Sequence, residues 1–256
     1  IELATLKATG FNVVNAVSKG HFADKNLQLQ VSIPKDLQIA NERIHWTVIK
    51  NGSAEIVKKR YGRMQALNLP EGSYTVTLTI GKFTTSKEVN VSNGKRIQPY
   101  FRANLARLQL SSNQVVDWLL VGSEQRKFTI SHQSQFDELL PADNYLVKAV
   151  LRDLPLHKEI RLKPGQTVKN AINIPVGKVN LFATKNDQPL FKPMLWKVFR
   201  LENNQRQQVG KYRLHAKSIS IPPGFYEAVA EHEDIRRTRQ FWVRKDTINK
   251  IVLALD

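Results

Sequence analysis

Six histidines, His21, His45, His132, His157, His215 and His232, fall singly along the chain, without the close spacing that lets two imidazoles hold one metal ion. The densest run of potential ligands is Glu231-His232-Glu233-Asp234. Oxygen-rich loops of this kind hold Ca²⁺, but the same four residues suit a solvated hairpin turn, and the turn is the expectation. His157 and Glu159 share a face if their segment is extended, which brings two groups together and no third. No G-x-S-x-G elbow, H-E-x-x-H helix, phosphate-cradling glycine loop or dinucleotide fingerprint occurs. Paired carboxylates have no motif by which sequence would reveal them. Cysteine is absent, so disulfides and thiolate chemistry are excluded, while the compartment is left open. The expectation is a non-enzymatic chain with no cofactor, no metal and no catalytic residues.

Cations are the stronger chemical signal. The formal net charge is +17. It divides as +8 over residues 1–104, +2 over 105–174 and +7 over 175–256. A uniform solubility device would spread more evenly, so a polyanionic partner is one expectation. The clusters are Lys58, Lys59, Arg60 and Arg63 in the first part, and Arg236, Arg237, Arg239, Arg244 and Lys245 in the last, with Trp242 among the latter. Arginine's planar fork suits phosphate and carboxylate, and Trp242 with Phe241 beside it offers stacking or an interfacial anchor. The competing reading is protective, because charge on an edge strand blocks sheet-to-sheet aggregation. In a strand, Arg237 and Arg239 project to one face and Arg236 to the other, so a run of charge is not automatically a patch.

These residues sit in a repeated pattern. Trp46, Trp118 and Trp196 lie 72 and 78 residues apart, and each is followed by a proline turn and a tyrosine. The turns are LPEGSY ending at Tyr74, LPADNY ending at Tyr145 and IPPGFY ending at Tyr226. So regular a period means a tandem array of one small module. In the first, residues 27–33, 44–49, about 54–59, 64–69, 74–80, 83–91 and 95–101 read as strands, with Asn51-Gly52 and Asn93-Gly94 as turns. The second reads as strands at 107–110, 115–121, 126–131, 136–140, 145–151, 157–162 and 167–174. The third has them at 178–183, 194–201, 207–213, 217–221, 225–231, 238–244 and 247–254. No segment keeps a 3.6-residue apolar period over helical length. The expected fold is all-β: three tandem antiparallel sandwiches over 27–104, 105–174 and 175–256.

A large ring in mid-strand fills the space between two sheets, and a tyrosine after the turn returns its hydroxyl to nearby backbone, as a tyrosine corner does. Trp46, Tyr74, Trp118, Tyr145, Trp196 and Tyr226 are therefore expected to mark the three cores. Residues 1–26 stand outside the repeat, as a strand of a preceding domain or an added edge strand followed by a linker. No stretch of about 18 apolar residues is present to span a membrane as a helix. The chain opens on Ile1, so an excised or processed piece is expected, with any leader or anchor removed.

The segment LPEGSYTVTLTIG and the later VSNGKRIQPYF resemble the transthyretin-like, carboxypeptidase-regulatory-like sandwich of bacterial proteins. There L-x-P-G-x-Y opens a strand and a glycine turn precedes the last one. They also resemble the short sandwich repeats attached to von Willebrand A-type domains in envelope proteins. The resemblance covers Leu69 to Phe101, and more loosely Ile221 to Val252. The second module departs from it, with Ala142, Asp143 and Asn144 before Tyr145 and no glycine. It implies a spacer, adhesion or interaction unit in the periplasm or at the cell surface, with a protein partner in the envelope. The alternatives carried forward are a basic module for anionic lipid, acidic glycan or nucleic acid, and a carbohydrate-binding appendage using Trp242, Tyr100 and Phe101. The absence of any recognised nucleic-acid motif weighs against a sequence-specific nucleic-acid partner. Partner identity and oligomeric state are not written in the sequence.

Overall fold

A computed structural model describes residues 11–12, 25–53, 55–152 and 154–256 of the chain. The expectations for residues 1–8 and for the stretch around Gly10, Gly20 and Asp24 fall outside these. The described residues are strands joined by turns, with two single-turn 3-10 segments at Asn41–Arg43 and Ser123–Gln125. A two-residue strand β1 (Phe11–Asn12) pairs with the end of β2 (Leu27–Pro34).

The first sandwich continues with β3 (Ile44–Lys50), β4 (Ile56–Tyr61), β5 (Met64–Leu67), β6 (Gly72–Ile80), β7 (Phe83–Val91) and β8 (Tyr100–Arg102). One sheet has the order β4-β3-β6-β7, and the other places β2 between β5 and β8. Alternation does the sorting. Tyr74, Val76, Leu78 and Ile80 are buried, and the threonines between them lie on the opposite face. The last strand is shorter than the expected 95–101, because Pro99 withholds a donor and ladder pairing begins only at Tyr100.

The middle sandwich comprises β9 (Leu105–Val121), β10 (Lys127–Pro141), β11 (Asn144–Leu151), β12 (Leu154–Arg161) and β13 (Thr167–Ile172). Here four expected strands merge into two. Residues 107–110 and 115–121 are parts of β9, and 126–131 and 136–140 are parts of β10. Each long strand serves both sheets. The Leu105–Ser112 portion of β9 lies between β13 and the second half of β10, and the later portion pairs with β11. Irregularities in register around Gln133 bend the β9–β10 ribbon, and His132 takes a φ of 55° there. Asn113 fixes the bend with paired amide bonds, donating to the Ile174 carbonyl at 3.0 Å and accepting from its N–H at 2.8 Å.

The third sandwich comprises β14 (Gly177–Lys185), β15 (Gln188–Pro189), β16 (Met194–Glu202), β17 (Gln205–Leu214), β18 (Ala216–Ile221), β19 (Gly224–His232), β20 (Ile235–Val243) and β21 (Ile248–Ala254). Its sheets are β17-β16-β19-β20 and β18-β14-β21, with β15 at the end of β14. In all three sandwiches the first and last strands pair in parallel, and the other ladders are antiparallel.

Each core closes on one tryptophan. Trp46, Trp118 and Trp196 are fully buried, as are Tyr74, Tyr145 and Tyr226. The three tyrosine hydroxyls donate to the carbonyls of Pro70, Pro141 and Pro222 at 2.9, 3.0 and 2.8 Å. Trp46 donates its indole N–H to the Gly62 carbonyl, and Trp118 donates to that of Gln133. The Trp196 indole N–H has no acceptor among the described residues. The first core also takes in Leu105 and Leu139, both from strands of the middle sandwich.

Candidate interaction surfaces

No group of three or more histidines and carboxylates converges among the described residues. The Glu231–Asp234 run is the β19–β20 hairpin, with His232 opposite Ile235 and Glu233 at φ 54°. Its groups do not converge on one point: His232 Nε2 lies 3.7 Å from the Glu233 carboxylate, and Glu231 is engaged elsewhere. Glu231 is held by the Lys197 ammonium at 2.8 and 2.9 Å, with Arg236 at 3.7 Å. The hydrogen bond from Lys197 holds the Glu231 carboxyl below its usual range, aided by the charges of Lys197, Arg236 and Lys211. His157 and Glu159 are exposed on β12. A groove of about 740 Å³ runs past Ser123, Asp143, Tyr145 and Arg161. Asp143 in it already accepts from Ser123, Asn144 and Arg126.

The cationic residues separate onto two edge strands. Lys58, Lys59 and Arg60 lie on β4, the edge of the first four-stranded sheet, and Arg63 follows in the connection to β5. Arg236, Arg237 and Arg239 lie on β20, the edge of the third, with Arg244 and Lys245 just beyond it. On β20, Arg236 and Trp242 fall on the outer phase. Arg237 and Arg239 share the phase of Ile235, Phe241 and Val243 but stay exposed beyond the core. Arg237 donates to the Asp256 carbonyl. The side chains of Lys58, Lys59, Arg63, Arg239 and Arg244 make no ion pair among the described residues.

The aromatics differ from expectation. Trp242 is 66% exposed and packs on Phe225 of the neighbouring strand, centroids 4.9 Å apart, not on Phe241. Phe241 turns inward against Tyr226. Phe101 is not available to a ligand: it is buried edge-on against Trp46, while its neighbour Tyr100 is exposed, as strand alternation requires. Beside the Phe225–Trp242 pair, Arg206 lies 3.6 Å above the Phe199 ring and binds Glu227. That face is amphipathic and internally satisfied.

Sequence reasoning missed the contacts between sandwiches. The β6–β7 turn, Gly81-Lys82, meets β10 of the middle sandwich: the Lys82 N–H donates to the Leu139 carbonyl at 2.9 Å, and Arg43 pairs with Glu138 at 3.0 Å. The next turn, after Leu151, meets the third sandwich. There Arg152 donates to the carbonyls of Ser220 at 3.2 Å and Val209 at 2.7 Å, and to the Tyr212 hydroxyl at 2.9 Å. Leu139 and Ser220 each stand two residues before the turn proline of their sandwich. The same place in the middle and third sandwiches therefore receives the hairpin tip of the one before.

No family model and no curated protein matches this chain. Among solved structures, the Bacillus anthracis TIE protein aligns over 91% of the chain at 13% identity and a TM-score of 0.27, and the chain spans about half (50%) of that protein's length. The minor pilin GBS52 of Streptococcus agalactiae aligns over 58% of the chain and 94% of its own, at 11% identity and a TM-score of 0.30. The shaft pilin SpaA of Lactobacillus rhamnosus GG aligns over 60% of the chain and 98% of its own, at 9% identity and a TM-score of 0.34. Similarities of this extent assign no activity or partner to the chain.

Proposed function

We propose that this chain is a non-enzymatic interaction scaffold of a bacterial cell-envelope protein, in the periplasm or at the cell surface. It is divided into modules at 27–104, 105–174 and 175–256 and allied to the transthyretin-like repeats of proteins with von Willebrand A-type domains. Protein partners bind along its open sheet edges and in the clefts between modules, by strand addition where an edge is unpaired. The observation that supports this reading is that both junctions join the same hairpin turn of one sandwich to the same acceptor position of the next, the Lys82 N–H to the Leu139 carbonyl and the Arg152 guanidinium to the Ser220 carbonyl. A flexible string of domains has no use for such bonds; a device that holds surfaces at fixed spacing does.

The test is capture from bacterial envelope extract on the immobilised chain, washed at ~0.5 M salt, where the Debye length is a few Å. A protein retained on the wild-type chain and lost when Arg152→Ala loosens the second junction supports the scaffold. Retention of no protein at any salt refutes it. A second reading, contact with a polyanionic lipid, glycan or nucleic acid, is favoured by the unpaired cations Lys58, Lys59, Arg63, Arg239 and Arg244. It requires anionic ligands to be held at low salt and released steeply as salt rises.

A further inference from the structure

Each of the three sandwiches has an equivalent turn; the first two make the junctions, and the third meets no other sandwich among the described residues. Gly81, Arg152 and Glu233 are each the first residue of the turn after the third strand in the orders β4-β3-β6-β7, β10-β9-β11-β12 and β17-β16-β19-β20, and all three are left-handed, at φ 58°, 50° and 54°. Gly81 and Arg152 dock on the following sandwich. Glu233 and Asp234 are exposed.

The receiving surface likewise has a member that meets no such turn among the described residues. Register identifies it: Trp196 pairs with Tyr212 as Trp46 pairs with Arg60, and both ladders carry the same irregularity two residues later. Arg60 therefore stands in the first sandwich where Tyr212, the acceptor for Arg152, stands in the third. Asn68 stands where Leu139 and Ser220 stand, two residues before its turn proline. The Asn68 carbonyl accepts no hydrogen bond from the described residues.

The chemistry of the unused halves matches. Within the chain, an arginine on the turn meets a tyrosine hydroxyl on the receiver. The turn of the third sandwich instead carries Glu233 and Asp234, with His232 3.7 Å from the Glu233 carboxylate, and the receiver of the first carries Arg60, which donates from one guanidinium nitrogen to the Lys59 carbonyl, with Lys58 beside it. We propose that the Glu233-Asp234 turn of one copy of this chain docks on Arg60 and Asn68 of a second copy, continuing the series of junctions head to tail. The Glu233 carboxylate takes the Arg60 guanidinium, and the Asp234 N–H donates to the Asn68 carbonyl as Lys82 does to Leu139. This rests on the scaffold reading above. The contact is heterologous, so repeated use gives an open chain of copies and not a closed dimer.

Tethered modules see one another at effective concentrations in the mM range, so the untethered contact need be no tighter than that. The net charge of +17 opposes approach of two copies, and at about 0.15 M salt it is screened beyond about 8 Å. The experiment is sedimentation velocity of the full chain in that salt, from about 20 μM to about 1 mM. The wild type should shift to elongated dimers and longer species over this range. Glu233→Arg and Arg60→Glu should each remain monomeric, with association weakened about tenfold or more by like charges. Mixed together, these two variants regain the association, because every turn then meets an opposite charge on the other species. Both positions are exposed, and unchanged melting curves exclude misfolding.

A wild type that stays monomeric at the top concentration overturns the docking. So do single variants that associate like the wild type, or a mixture that fails to restore it. Any of these leaves the scaffold reading standing if Arg152→Ala still alters partner capture; loss of that effect removes the reading itself.

Discussion

Replacing Gly81 by alanine should open the junction between the first two sandwiches. A Cβ built there lies 2.7 Å from the Leu139 carbonyl oxygen and 2.9 Å from the Leu139 Cβ, neither of which can rotate away. The backbone cost of a left-handed alanine is about 1–2 kcal/mol. Moving the turn away also loses the Lys82 to Leu139 hydrogen bond, about 0.5–1.5 kcal/mol net. It further exposes Leu139, now 3% accessible, at about 1.5–3 kcal/mol. Gly94 provides the control: it too is left-handed, at φ 72°, with nothing within 4 Å of its Cβ. Gly94→Ala therefore carries the backbone cost alone, and the excess for Gly81→Ala should be about 2–4.5 kcal/mol. Denaturant unfolding of both variants measures the excess, and hydrogen exchange at the Lys82 amide reports the opening directly. Equal losses for the two variants, with Lys82 still protected, would refute the coupling of the sandwiches through Leu139.

Trp46→Phe should cost more than Trp196→Phe by about 1–3 kcal/mol, because the first leaves the Gly62 carbonyl without its indole donor and the second removes an N–H that no group among the described residues accepts; thermal unfolding of the pair checks this. Arg152→Ala deletes three hydrogen bonds to the third sandwich and should widen the range of angles between the last two, seen as a larger radius of gyration by X-ray scattering with each core still protected from exchange. Asp137 accepts from Arg107 at 2.7 Å through both oxygens and from Gln109, which holds its carboxyl below the ordinary aspartate range. Its folded pKa is depressed, so its contribution is present above the unfolded pKa and is lost as pH falls through the folded value. Both partners are well exposed, so the acid-limb difference between wild type and Asp137→Asn should be small, under about 1 kcal/mol.

The sandwich signal was local in the chain and therefore legible. Alternation such as YTVTLTI, a tryptophan in mid-strand and a proline turn before a tyrosine each act within a few residues, and the resulting faces follow from the pleat. Polar clusters misled. Ser111-Ser112-Asn113-Gln114 and His132-Gln133-Ser134-Gln135 fall between expected strands, yet they form the bends of β9 and β10, where one strand passes between sheets without breaking. Phe101 reads as a ligand-facing ring in the carbohydrate alternative, yet alternation gives Tyr100 the outer phase and sends Phe101 into the core. The junctions were illegible for a different reason. That Gly81 abuts Leu139, or that Arg152 reaches Tyr212, depends on how two folded bodies meet, and no periodicity within either encodes it.

The parallel pairing of first and last strands has a mechanical consequence. In each sandwich the chain enters at one end of the first strand and leaves at the opposite end of the last. Tension on the ends therefore pulls along the ladder, loading its hydrogen bonds together in shear instead of peeling them one at a time. The ladders differ in length: seven register pairs join β14 to β21, six join β9 to β13, and three join β2 to β8. Under a stretching force the first sandwich should yield first and the third last, so that the chain lengthens in steps from one end while the remainder still bears load.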